Sequence, residues 1–287
     1  LLVRLSRIGY PDGGVIRYIE SNPELGERAI GTWVDPNALG GIMAIGAAFI
    51  APQVFARQPL LRYRWLAFVL LGLVVLALLL SSSRASFLAL GAGLFVIAVA
   101  RYRRYLPLLF LGGALLFLLP QTQEYVDRVF QALRGEDLAT QMRIGEWTDS
   151  LELISRYPAF GIGFTGTPVL DVYTDVANMY LIMANQIGLT GLLIFLITMG
   201  GVLVYGLQAW RSARQDFSLD SIHLGCQVAL MTALINAVAD LYFFRLDFQA
   251  SITWFWLTVT LALASSRMVL QRESSGESML ERKRQMN

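Results

Sequence analysis

Arg84 is the residue whose position most needs a chemical explanation. It sits in Leu80-Ser-Ser-Ser-Arg-Ala-Ser86, a short polar step between two apolar runs. A guanidinium at a membrane edge either snorkels to a lipid phosphate or turns into a cavity and holds an anion. The serines around it can donate hydrogen bonds to phosphate oxygens, which suits the second use. Arg143 and Trp147 are four residues apart in a segment of helical spacing, so they share a face. That helix either lies on the membrane edge or turns Arg143 inward toward Arg84. In the second case two guanidiniums clamp a pyrophosphate by bidentate, charge-assisted hydrogen bonds. Thr32-Trp-Val-Asp-Pro-Asn37 precedes the first apolar run, where Asp35 or Asn37 caps a helix and Pro36 stiffens its start. Asp240, Arg245 and Asp247 either form an ion pair or line the mouth of a cavity.

These residues are carried by a chain of membrane composition. Of 287 residues, 55% are hydrophobic and 15% charged, with a mean hydropathy of +0.54. A soluble domain carries roughly 25% charged residues. Apolar runs of membrane length recur at 38–55, 65–80, 85–100, 105–120, 179–207, 224–244 and 250–264. The expected fold is therefore all-α: a polytopic transmembrane bundle with a large, partly helical extracytoplasmic loop. Its parts are an extracytoplasmic loop or amphipathic segment (1–37), four transmembrane helices (38–120), the large loop (121–178), three more helices (179–264) and a charged, flexible cytoplasmic tail (265–287). The run from 179 is too long for a 30 Å core, so it tilts, or begins outside the lipid and breaks near Gly188-Leu-Thr-Gly191. In the large loop, Ile144, Trp147, Leu151 and Ile154 fit one helix face. Glycine pairs at 40–41, 91/93 and 112–113 read as close helix contacts.

Arginines at 57–64, 101–104, 211–214 and from Arg267 onward all fall on one side of this topology, which should be cytoplasmic. The loop 121–176 falls on the other side, with nine acidic and four basic residues. His223, the single histidine, is on the arginine-rich side and serves no chemistry at the other face. The candidate bases there are Glu146, Asp171, Asp175 and Tyr180, and an aspartate qualifies only if its surroundings raise its pKa. One cysteine, Cys226, allows no internal disulfide, and no metal-binding cluster is visible. A net charge of +2 gives no reason to expect nucleic acid. The chain opens on Leu1 and reads as truncated.

Four stretches resemble the O-antigen ligase / O-antigen polymerase superfamily of membrane glycosyltransferases. They are Gly31-Thr-Trp-Val-Asp-Pro-Asn-Ala-Leu-Gly40, Leu80-Ser-Ser-Ser-Arg-Ala-Ser86, Arg143-Ile-Gly-Glu-Trp147 through Tyr157-Pro-Ala-Phe-Gly-Ile-Gly163, and Asn178-Met-Tyr-Leu181 with Gly188-Leu-Thr-Gly191. Each is weak alone; their order around one large loop is specific. The resemblance implies a multi-pass protein of the bacterial inner membrane. Its donor would be a glycan on undecaprenyl pyrophosphate and its acceptor a glycan or lipid A–core, with membrane lipids around it and no cofactor. Arg84 and Arg143 would bind the pyrophosphate, stabilising charge on the leaving group. Asp35, Asn37, Trp147, Asn178, Tyr180 and Arg245 would line the site. Where ligases of the family carry a histidine, this chain has Ala177. Three readings follow: a polymerase with another base, Asp175 acting from two positions away, or an inactive relative. A transporter is the alternative of another class, but its polar residues would gather at the bilayer midplane rather than beside one loop.

Overall fold

The computed structural model describes residues 28–33, 35–56, 58–60, 63–118, 138–164 and 176–285, with side chains for all of these except 115–118, 138–144 and 276–285. The described residues form an all-α, polytopic bundle without strands. The helices are α1 (Pro36–Phe55), α2 (Arg64–Ser81), α3 (Arg84–Arg101), α4 (Leu106–Leu118), α5 (Leu138–Arg156), α6 (Met179–Ala213), α7 (Phe217–Asn236) and α8 (Gln249–Gln285). Short 3-10 turns at Arg103–Tyr105 and Leu246–Phe248 lead into α4 and α8. Six segments among the described residues are long and apolar enough to cross a membrane: α1, α2, α3, α6, α7 and Leu246–Ser275.

Burial separates inner helices from outer ones. The apolar spans of α1 and α7 are 72% and 67% buried, whereas those of α2 and α6 are 17% and 22% buried. Small residues explain the centre. Ala44, Ala47, Ala48 and Ala51 of α1 pack with Ala229 and Ala233 of α7, so the backbones approach closely. Larger side chains, among them Ile45, Leu78, Phe195, Leu224 and Phe255, close the gaps. The outer helices show leucines and isoleucines to the outside, such as Leu73, Leu76, Leu193 and Ile197. A surface this apolar needs lipid around it, and the chain is a multi-pass membrane protein.

Three sequence expectations meet a different local structure. The apolar run 224–244 is not one helix: α7 starts earlier, at Phe217, and stops at Asn236. The apolar residues beyond it form turns that fold back into the core, where Phe243 stacks on Phe255 at 5.5 Å. Hydropathy cannot separate a buried turn from a span. The charged tail expected to be flexible continues α8 as helix to Gln285. Of the glycine pairs, Gly40, Gly41 and Gly93 do face neighbouring helices closely, but Gly91, Gly112 and Gly113 meet nothing within 4 Å. The long run breaks at Gly188 (φ 73°, ψ 177°), near the foreseen position.

Helix direction alternates, so the bundle has two ends. One holds Asp35, Ser81, Arg84, Asn178 and Asn236 (the Ser81 end). The other holds Phe55, Arg64, Arg101, Ala213 and Phe217 (the Arg101 end).

Candidate functional site

The turn between α2 and α3 is two residues long. Ser82 takes a left-handed conformation (φ 51°) and its N–H bonds to Leu79 O. Ser83 is the N-cap of α3, yet its hydroxyl does not cap. It pairs with Ser86 Oγ at 2.8 Å, and Ser86 Oγ donates to Asn236 Oδ1 at 3.1 Å. Asn236 Nδ2 in turn donates to Asp240 Oδ2 at 3.0 Å. All five of these residues except Ser82 are buried. Helix α1 presses on the turn at Gly40: a Cβ there would lie 2.6 Å from Ser83 Cβ and 2.9 Å from Ser86 Oγ. The turn is thus fixed from below, and Arg84 is held exposed at the first residue of α3.

A second set of bonds meets this turn from the other side. Arg28 Nε donates to Ser81 O at 2.9 Å and Arg28 Nη2 to Asn37 Oδ1 at 2.7 Å. Asp35 is the cap of α1: its Oδ1 accepts from Asn37 N at 2.7 Å and Ala38 N at 3.1 Å. The Tyr242 hydroxyl reaches both Asp35 and Asn37. Burial, then the charges of Asp240 and Asp35, push this phenol well above the usual tyrosine range, so it remains a neutral hydroxyl. Arg245 ion-pairs with Asp247 at 2.7 Å nearby in sequence, one of its two expected uses.

The loop helix α5 is sewn into the break in α6. Ser150 Oγ donates to Asn185 Oδ1 at 3.1 Å. Past the end of α5, Leu189 N donates to Pro158 O at 2.8 Å, and Ile162 N to Asn185 O at 2.8 Å. At Gly188 a Cβ would sit 2.2 Å from Ala159 O, so only glycine fits there. Asn178 caps α6 by accepting from Tyr180 N and Leu181 N, and Tyr180 Oη donates to Leu234 O at 2.8 Å. Met179 N bonds to Ala237 O at 2.9 Å, tying the start of α6 to the end of α7 and so to the serine network. Glu146 Oε2 lies 3.5 Å from Ala177 N, a long contact at the foot of α6.

The packed face of α5 is not the one hydropathy suggested. Trp147 and Leu151 are exposed (42% and 59%), while Ser150 and Leu153 are buried. The physical reason is local: the buried Asn185 side chain needs a polar partner, and Ser150 supplies one, while the backbone around the break bonds to residues 158–163. Trp147 and Leu151 of the apolar stripe are left outward.

The described structure thus gathers Asp35, Asn37, Arg84 and Asn236 around one turn, and Glu146, Asn178 and Tyr180 around the start of α6. Asp171 and Asp175 lie outside the described residues, and Arg143 is described by its backbone alone, in α5. Arg28, Asn236 and Tyr242 were not singled out from sequence, although Arg28 stands three residues before the Gly31 motif and Asn236 interrupts an apolar run. His223 is buried at the Arg101 side of the core, with ring nitrogens 3.2 Å from Ser265 Oγ and 3.1 Å from Gly206 O, and plays a packing role. Among the described residues no cluster of His, Cys, Asp or Glu is arranged to hold a metal.

A multi-pass helical membrane protein, with an arginine-bearing serine turn at one end and a broken helix joined to a loop helix, is the class that this fold defines. A family model described as O-antigen ligase matches residues 69–196, and the match supports the O-antigen ligase/polymerase family for this chain. The matched stretch includes Arg84, Arg143, Trp147, Asp175, Asn178 and Tyr180, and leaves Asp35, Asn37 and Arg245 outside it. Comparison with curated proteins gives no match.

Proposed function

We propose that the chain transfers a glycan from an undecaprenyl-pyrophosphate carrier to a sugar hydroxyl, as a polymerase or ligase, at the Ser81 end of the bundle. That end faces the extracytoplasmic side in this reading, because the arginine-rich corners lie at the other. The acceptor oxygen attacks the anomeric carbon and the bond from that carbon to the pyrophosphate oxygen breaks. The lipid pyrophosphate leaves with the electron pair, and the hydroxyl proton passes to a carboxylate. Arg84 and Arg143 neutralise the charge that develops on the leaving group. The observation that carries the reading is the fixed serine turn: it holds Arg84 exposed at a helix N-terminus, where backbone N–H groups add to the pull on an anion.

The base is Asp175 or Glu146. The 3.5 Å approach of Glu146 to Ala177 N favours Glu146, since that backbone position is where ligases of the family carry a histidine. Asp35, Asn37, Trp147, Asn178, Tyr180 and Arg245 are assigned to the walls. The test is a transfer assay on the full-length protein in membranes with native lipid-linked glycan, products sized on a gel. A ladder identifies a polymerase, and a single product on lipid A–core identifies a ligase. Loss in Glu146→Gln but not Asp175→Asn, or the reverse, identifies the base. Absence of transfer by folded wild type with its glycan present would overturn the reading.

A further inference from the structure

The Arg101 end holds a cavity of about 510 Å³ that the proposed reaction does not use. Its lining includes Arg101, Arg103, Arg104 and Arg214 against one carboxylate, Asp220. Arg101 is the floor. Its Nε donates to both Asp220 oxygens at 2.9 and 3.2 Å, Nη2 donates to Trp210 O at 3.1 Å, and the guanidinium stacks 4.7 Å from the Trp210 ring. Only 8% of its side chain is exposed, and Asp220 balances its charge.

The other three arginines form an exposed rim. Arg103 Nε rests on Val99 O at 3.1 Å and Arg214 Nη2 on Ala100 O at 3.0 Å, while Arg104 stacks 4.8 Å from the Tyr105 ring. Among the described residues none of the three meets a carboxylate. Each guanidinium carries five N–H donors, so most remain for a ligand. Three cations around one concavity, none on a carboxylate among the described residues, select an anion with several acceptor oxygens.

The walls say what kind of anion. Phe55 packs on Tyr102 at 5.5 Å and on Tyr105 at 4.6 Å, making one side of the cavity aromatic. The Arg103–Tyr105 turn then runs into α4, whose Leu108, Phe110 and Leu111 are 62%, 65% and 55% exposed. The rim of the cavity thus leads along the chain directly into a helix with an apolar outer surface. A soluble phosphate has no use for the second; a lipid uses both. We propose that this cavity binds the phosphodiester head group of an anionic membrane lipid, with its acyl chains along α4. Tyr102 adds a hydroxyl at the rim. Burial and then Asp220 push its phenol up, so it stays protonated and can donate to a phosphate oxygen. Basic pockets between membrane helices take anionic head groups by these forces.

The test uses the full-length protein in nanodiscs of phosphatidylcholine with and without phosphatidylglycerol. Lipid retained after extraction is read by native mass spectrometry, and the thermal midpoint is measured alongside. The wild type should retain phosphatidylglycerol over phosphatidylcholine. Each rim arginine should contribute roughly fivefold, so Arg214→Gln should lower retention about fivefold and Arg103→Gln/Arg104→Gln/Arg214→Gln by well over tenfold. The single variant keeps the test valid if the triple variant does not fold. Arg267→Gln/Arg272→Gln, outside the cavity lining, should retain the lipid. Unchanged retention in Arg214→Gln overturns the proposal. So does equal loss in Arg267→Gln/Arg272→Gln, which would mean general surface charge. Equal stabilisation by inorganic phosphate in place of the lipid would likewise overturn it, in favour of a soluble anion.

Discussion

The two ends of the bundle are held together by different chemistry. At the Ser81 end the buried polar groups are mostly neutral and bonded to one another, from Ser83 through Ser86 and Asn236 to Asp240. At the Arg101 end a buried guanidinium and a carboxylate carry the contact between α3 and α7. A satisfied network of hydroxyls and amides fixes geometry, and at its end the buried Asp240 carboxylate is held by the Asn236 amide. It sets the position of the turn and so of Arg84, the surface cation at the first residue of α3. At the Arg101 end the ion pair consumes its own charge and leaves the surplus on a rim. One end is shaped like a site for chemistry, the other like an anchor.

The comparison can be broken at several points. The largest effect should come from Gly188→Ala, which puts a Cβ 2.2 Å from Ala159 O at a positive φ. We expect a loss of about 3 kcal/mol or more and little folded protein by size-exclusion chromatography, whereas Gly91→Ala, facing open space, should fold normally. Gly40→Ala forces a Cβ against the serine turn and should cost about 1–3 kcal/mol. It should also reduce transfer more than its loss of thermal stability explains, because Arg84 moves with the turn. Asn236→Ala removes the amide that links Ser86 to Asp240 and should cost about 1–3 kcal/mol, measured by thermal unfolding in detergent.

The smallest effect lies at the Arg101 end. Asp216 caps α7 and is held down to about 2, first by the Ser218 hydroxyl, with Arg272 contributing. A carboxylate whose pKa is lower folded than unfolded stabilises the fold above its ordinary pKa near 3.8. That contribution fades as pH falls through about 2. Asp216→Asn should therefore flatten the acid side of the stability curve between pH 4 and 2, roughly, and Gly91→Ala, which touches no titratable group, should leave its shape unchanged.

How much of this was legible in advance follows from the range of each interaction. Most spans could be read because helices that cross a bilayer, inner and outer alike, are apolar over their length, whereas the run 224–244 was displaced because a buried turn is apolar too. The break at Gly188 was legible because the run was too long and contained Gly188 and Gly191. The serine network was not, because Ser86 and Asn236 are 150 residues apart and only the packed bundle brings them together. The buried face of α5 differs from the apolar stripe because its polar partner is the buried Asn185 side chain, which apolar periodicity does not report. Arg28 escaped because it precedes the first span, and its partner Ser81 belongs to the next helix.

The central claim is that Arg84, set by the serine turn, stabilises a departing lipid pyrophosphate. Its most direct test is the initial rate of glycan transfer in proteoliposomes by wild type, Arg84→Ala, Arg84→Lys and the distant Arg272→Gln, each shown to be folded. Arg84→Ala should fall about 100-fold, the range for one lost transition-state donor. Arg84→Lys should recover part of the rate through its charge, and Arg272→Gln should match wild type. Full activity in folded Arg84→Ala would contradict the account.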